Sequence, residues 1–370
     1  MINRRQFVLG GAGALSAACG KKEPRGFSGY AFVANEDGKA IAVVDLAAFS
    51  LMRHIPLDGE PTAVISHPTR PFVYALTPRT GTIHEISTQT MKVSRKVQAA
   101  PTAMAMRIAP DGSALWVLSQ DSRKLVRVAV ESFLPDAQVS LPLEPTDFDL
   151  SNATGLSAIS YGNAGSVGLV DLTSRSVAGL VRIGSSVGNV RFRQDGKALL
   201  IANTGSRMLS VLETPGGKVI ANLPLAVRPD NLCFNPNGGQ LFITGEGMDV
   251  VVVVFPYRIP EVKETVLAGR APGAMCASEQ FLFIANPTAG NVSILDIKTR
   301  KVIAVTAVGS EPSFIAMTPG DQYALVLNRK SGDMAVIRLG AIRNDRSKSA
   351  ALFTMIPVGS KPVSAAVRRS

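Results

Sequence analysis

The chain has 370 residues, a formal net charge of +11, three cysteines and three histidines. No Cys-x-x-Cys-His motif is present, which excludes covalently attached haem. His54, His67 and His84 fall outside the segments that the repeat described below turns toward its axis, so a His-ligated cofactor is disfavoured and no cofactor is expected.

Residues 1–18 read as an export signal. Arg4-Arg5 precede an apolar, Gly/Ala-rich stretch from Phe7 to Ala18 that is too short to span a bilayer. The segment Asn3 to Phe7 resembles a twin-arginine signal, without the usual Ser or Thr before the pair. Leu15-Ser-Ala-Ala-Cys19 resembles a bacterial lipobox, with Ser16 where Leu is usual. That resemblance implies that Cys19 is the lipidated first mature residue, with simple cleavage after Ala18 as the alternative. Gly11-Ala-Gly13 has neither a strand before it nor an acidic partner after it, so it is not a dinucleotide site. Residues 19–29 form a tether, and the implied location is periplasmic or cell-envelope, lipid-anchored (secreted and soluble in the alternative).

From Tyr30 onward one pattern recurs. A short apolar run ends in a small or turn-forming residue: Tyr30 to Asn35, Phe72 to Thr77, Ala114 to Ser119, Leu156 to Tyr161, Ala198 to Asn203, Gln240 to Gly245, Phe281 to Asn286 and Tyr323 to Asn328. Successive starts lie 42 residues apart, once 41. Each run is too short for a helix and reads as a strand. A second strand follows, such as Val292 to Asp296, then a third, such as Lys301 to Thr306. A fourth opens at Pro61, Pro101, Pro145, Pro229, Pro272, Pro312 or Pro362, with Val187 replacing proline once. Units this size cannot bury their apolar faces alone and must stack or close into a ring.

Pro312 to Asp321 followed by Tyr323 to Asn328 resembles the YVTN type of β-propeller repeat, and the likeness extends over residues 30–370. It implies an all-β propeller of four-stranded antiparallel blades with the proline-led strand, A, innermost and B, C and D outward. The chain enters on strand B and ends on strand A. The last segment is therefore expected beside the first, completing an eight-bladed ring with three N-terminal strands and one C-terminal strand; seven blades are the alternative. Such a scaffold specifies architecture and leaves function to its sites.

Removal of Arg4 and Arg5 lowers the charge from +11 to +9. Strand direction puts D-to-A and B-to-C loops on one face of the ring and A-to-B and C-to-D loops on the other. Arg343, Arg346 and Lys348, in a long C-to-D connection, and Arg368 and Arg369 at the terminus fall on the second face. They are candidates for contact with an anionic surface. The cluster lacks interleaved aromatics, which argues against nucleic acid. Rim charges Glu60, Glu144, Arg228, Glu311 and Lys361 mark the D-to-A face as the candidate partner surface.

Counted from the opening proline, the second and fourth residues of strand A are small in most blades: Ala63, Ala103, Ala105, Ala274, Ala316 and Ala366. Three consecutive blades carry instead Asp147 and Asp149, then Asn189 and Arg191, then Asn231 beside Asp230. Polar groups there need partners. Asp149 is expected to pair with Arg191, and the sector is a candidate pocket for a small polar ligand, opening near Tyr161 and Asn203 toward the D-to-A face. A water-filled channel stitched by ion pairs is the alternative. Cys233 and Cys276 each lie four residues after a proline and point the same way around the ring, so no disulfide is expected.

No nucleophile–base pair is recognisable, and Arg191 opposes a cation, so no catalytic residue and no metal are expected. The chain reads as a monomeric binding or assembly module for an unknown protein or small polar ligand. The alternatives are a metal-assisted hydrolase resembling calcium-dependent lactonases, with a polar channel site, and a module that binds nucleic acid or an anionic surface through the basic C-terminal repeat.

Overall fold

A computed structural model describes residues 26–342 and 351–370. Cys19, Arg343, Arg346 and Lys348 lie outside the described residues. Eight four-stranded antiparallel sheets form the ring, an eight-bladed β-propeller. In the first sheet the order is Ser50–Pro56, Ala40–Asp45, Gly29–Asn35 and Pro362–Arg369. The last strand pairs antiparallel with the first, Gly29 opposite Arg369, Phe32 opposite Ala366 and Asn35 opposite Pro362. Closure removes the sheet edge that an open array would present to other chains. With that sheet as blade 1, blades 2 to 8 follow in chain order.

Strands B and C are apolar almost throughout because blades stack face to face, covering both sides of each. Val250–Phe255 reads as five valines and a phenylalanine and is buried along nearly its whole length. The core therefore lies between blades: Phe281, Phe283 and Ala285 of blade 7 pack on Ala324, Val326 and Ile337 of blade 8. Outer D strands face solvent on one side, and Lys92–Gln98 alternates exposed and half-buried residues accordingly.

The two loop sets fall as strand direction requires. The B-to-C loop of blade 2 is a single 3-10 turn, Pro78–Thr80, closed by Gly81 at φ 58°. A side chain at Gly81 would meet the carbonyl of Ala100 at 1.9 Å, so only glycine lets this loop lie against the neighbouring D-to-A connection.

Candidate functional site

Strand A is the innermost of each blade, and one of its edges has no strand beside it. Its N–H groups must find other acceptors. The following blade's amide is met by a side chain of the preceding blade. Ser364 Oγ accepts from the Val64 N–H at 3.2 Å, Asp147 Oδ2 from Val190 at 3.2 Å and Asp149 Oδ2 from Phe192 at 2.8 Å. The sulfurs of Cys233 and Cys276 take the corresponding place against the N–H groups of Ala277 and Met317. Both thiols are free, and burial pushes them up, Cys233 to about 12 and Cys276 to about 11.

These acceptors lie in rows around the channel. Pairing with strand B places Arg107 opposite Trp116, Asp149 opposite Ala158, Arg191 opposite Leu200 and Cys233 opposite Phe242. All four occupy one ring position in successive blades. Arg107 escapes a count made from the proline, because Pro101 stands two residues farther from its strand B than Pro145 does. A count made along the repeat finds it, since Arg107, Asp149, Arg191 and Cys233 are spaced by 42 residues.

The charges meet differently from the expected Asp149–Arg191 pair. Asp147 takes the arginine: its Oδ2 lies 3.2 Å from Arg191 Nη1, and its Oδ1 lies 3.7 Å from Arg107 Nη2. Asp149 accepts from the Phe192 amide instead. Arg191 also donates to the Val190 carbonyl at 2.6 Å, and Arg107 to the Met106 carbonyl at 3.2 Å. The Arg107 guanidinium sits 5.5 Å over the Phe148 ring. Burial pushes the Asp149 carboxyl above its ordinary range, against the opposing pull of Arg191, the Phe192 amide and Arg107. Burial and the neighbouring Arg191 lower the affinity of Arg107 for its proton.

A cavity of about 280 Å³ adjoins this cluster. Arg107, Asp149 and Arg191 supply its charged wall, and Ile108, Leu150, Phe192 and Phe234 its apolar wall. Asn152, Arg193 and Gln194, from A-to-B turns, frame its mouth. The cavity therefore opens at the A-to-B end of the channel, opposite to the expectation. Arg193 is fixed there by two 2.8 Å contacts to Asp195 and by stacking 4.7 Å over Tyr257.

Tyr161 and Asn203 are not in its walls. Tyr161 has no exposed surface, and Asn203 keeps 3% and donates to the Ile183 carbonyl at 3.4 Å. Both end a B strand, which is sandwiched between blades and cannot reach the axis. Asn189, Asp230 and Asn231 stand together at the other mouth. There the Asn189 amide donates to the Asp230 carbonyl, and the Asn231 amide to Asp230 Oδ2 at 3.2 Å.

Each of the rim charges of the D-to-A face has a neighbouring partner. Glu60 lies 3.7 Å from Lys39 and 3.3 Å from Arg79, and Glu144 accepts from Gln120 at 2.6 Å. Arg228 pairs with Glu246 at 3.5 Å, Glu311 with Arg329 at 3.8 Å and Lys361 with Glu36 at 2.8 Å. On the opposite face Arg368 donates to the carbonyls of His67, Pro68 and Thr69, which fastens the final strand to blade 2. Arg369 reaches the Pro319 carbonyl at 3.3 Å.

Among the described residues, no three His, Cys, Asp or Glu side chains converge to hold a metal ion. No helix among them is long and apolar enough to cross a membrane.

No protein-family model matches the chain, and no curated protein matches it. Solved structures do. Dihydro-heme d1 dehydrogenase NirN, in complex with DHE, aligns with a TM-score of 0.74 at 13% identity over 91% of this chain and 75% of that one. Apo AztD from Citrobacter koseri aligns with a TM-score of 0.69 at 11% identity over 92% of this chain and 97% of that one. A functionally unknown protein from Desulfotomaculum acetoxidans aligns with a TM-score of 0.62 at 15% identity, over 76% and 98% of the two chains. At such identities the likeness is one of fold, and the chain is a β-propeller of eight blades.

Proposed function

We propose that the protein is an extracytoplasmic binding module that takes a small acid in its channel, through the mouth framed by A-to-B turns. The observation that carries this reading is the pair of guanidiniums, Arg107 and Arg191, which share Asp147 and both line the 280 Å³ cavity. A carboxylate entering there meets charge-assisted donors in a partly dry site, where such bonds are strong. Burial pushes the Asp149 carboxyl above its ordinary range, which lessens the repulsion it offers an entering acid. The apolar wall of Leu150, Phe192 and Phe234 suits a short hydrocarbon body.

The lactonase-type alternative needs a cation held by oxygen ligands. Here Asp147, one of the carboxylates that would supply them, is shared with two arginines, and Asp149 is engaged with the Phe192 amide. The DHE named with NirN is that protein's ligand, and the small cavity and the absence of a histidine in its walls turn this chain toward a smaller molecule. The D-to-A rim remains a proposed protein-contact surface, and Cys19 a proposed lipid anchor that holds the propeller in the cell envelope.

Calorimetric titration with acetate, N-acetylalanine, succinate and inorganic phosphate tests the reading. At least one carboxylate binds the parent, and Arg107→Met weakens it tenfold or more, with unchanged near-ultraviolet circular dichroism. Absence of binding for every carboxylate overturns it.

A further inference from the structure

We infer that the acid is the end of a longer molecule: the site takes the C-terminal carboxylate of an extended peptide. This rests on the reading above and adds to it the identity of the ligand's remainder. A second cleft, of about 500 Å³, begins where the first cavity ends, and Leu150 and Asn152 line both. It runs outward between the A-to-B turns of blades 3 and 4, past Pro110 and Trp116, to the C-to-D turn at Leu172 and Thr173. A lone small ion held by Arg107 and Arg191 leaves this continuation empty.

The chemistry of the cleft fits a peptide. Its lining alternates apolar and polar groups within one residue spacing, Leu150 beside Ser151 and Asn152, Leu172 beside Thr173. A hydrocarbon tail would desolvate the polar members without pairing them. A peptide backbone supplies both a donor and an acceptor at each residue. Asn152 stands at the junction, exposed, and its side-chain amide has no hydrogen-bond partner among the described residues. A side-chain amide can donate and accept at once, as one peptide bond requires. Arg127, in the outer wall, is paired with Asp136 and shares that lining with the carboxylate of Asp111, so the outer cleft carries both signs of charge. The net positive charge therefore lies at the inner end, where Arg107, Arg191 and Arg193 outnumber Asp149 in the lining and where a chain terminus carries its carboxylate. Capture of a terminal carboxylate is a recurring way to recognise a peptide end.

Four probes test this: acetate, N-acetylalanine, acetyl-tetra-alanine as the free acid and the same peptide as its C-terminal amide, each titrated into the full chain. The free-acid tetrapeptide binds tenfold or more tighter than N-acetylalanine, and amidation removes at least tenfold. Thr173→Trp, on an exposed turn, and Asn152→Leu each draw the tetrapeptide affinity down toward that of N-acetylalanine. Equal affinity for N-acetylalanine and the tetrapeptide overturns the inference and leaves the small-acid reading standing. Equal affinity for acid and amide overturns it too. Failure of all acids to bind removes both.

Discussion

The side-chain amide of Asn35 donates to the carbonyl of Val358 at 2.6 Å, across 323 positions of sequence. His54 Nε2 lies 2.7 Å from the same oxygen. Strands B and D of the first blade thus both hold the residue that leads into the last strand. Ring closure depends on this clasp as well as on the ladder between Gly29–Asn35 and Pro362–Arg369.

Asn35→Ala removes one of the two bonds to Val358 inside a buried site. A loss of about 1–2 kcal/mol is expected. Urea unfolding reads it as a lower midpoint at unchanged slope. A midpoint equal to that of the parent contradicts the role given to the clasp.

Asp149 sets a pH dependence. Its carboxyl is raised above the ordinary value by burial, so the folded chain keeps a proton that the unfolded chain releases. Stability therefore falls as pH rises from about 4 through the folded value, and levels beyond it. Asp149→Asn preserves an acceptor for the Phe192 N–H and cannot ionise. Its stability relative to the parent is expected to climb across that window in thermal melts. Curves that run parallel count against the assignment.

Tyr161 is buried completely, and its hydroxyl has no hydrogen-bond partner among the described residues. Tyr161→Phe removes a desolvated polar atom that returns nothing. The variant is expected to equal the parent or to gain up to about 1 kcal/mol, with unchanged affinity for small acids. Weakened acid binding would return Tyr161 to the site.

Glu85 is buried, and Arg95 meets both of its oxygens, at 2.8 and 2.7 Å, while lying 4.8 Å over Phe133. Arg95→Met strands the carboxylate. Because the Arg95 side chain keeps 38% of its exposure, the loss is set at about 2–3 kcal/mol, below that of a fully buried pair. Adding Glu85→Gln to Arg95→Met recovers most of it. A double variant no more stable than the single one would show that the charge is not the cause.

The ring was legible because its determinants are periodic. Apolar B strands, proline-led A strands and a chain entering on B but ending on A fix eight blades and their closure. The polar sector was legible too, as Asp147, Asp149 and Arg191 break a run of alanines. Its detail was not. Arg107 was hidden by two extra residues after Pro101, which shift any count from the proline but not the 42-residue spacing. Asp147 and Asp149 each accept from one amide of the next blade, and their spacing in the chain does not distinguish which of them meets the arginine. Tyr161 and Asn203 looked accessible because they precede loops, whereas stacking of the blades buries them.

A crystal of the described propeller soaked in N-acetylalanine tests the central claim most directly. Density for the acid is expected in the channel, its carboxylate within hydrogen-bond distance of Arg107 and Arg191 and its path of entry beside Asn152 and Gln194. Density at the D-to-A rim instead, or a cavity holding only water at saturating acid, would contradict it.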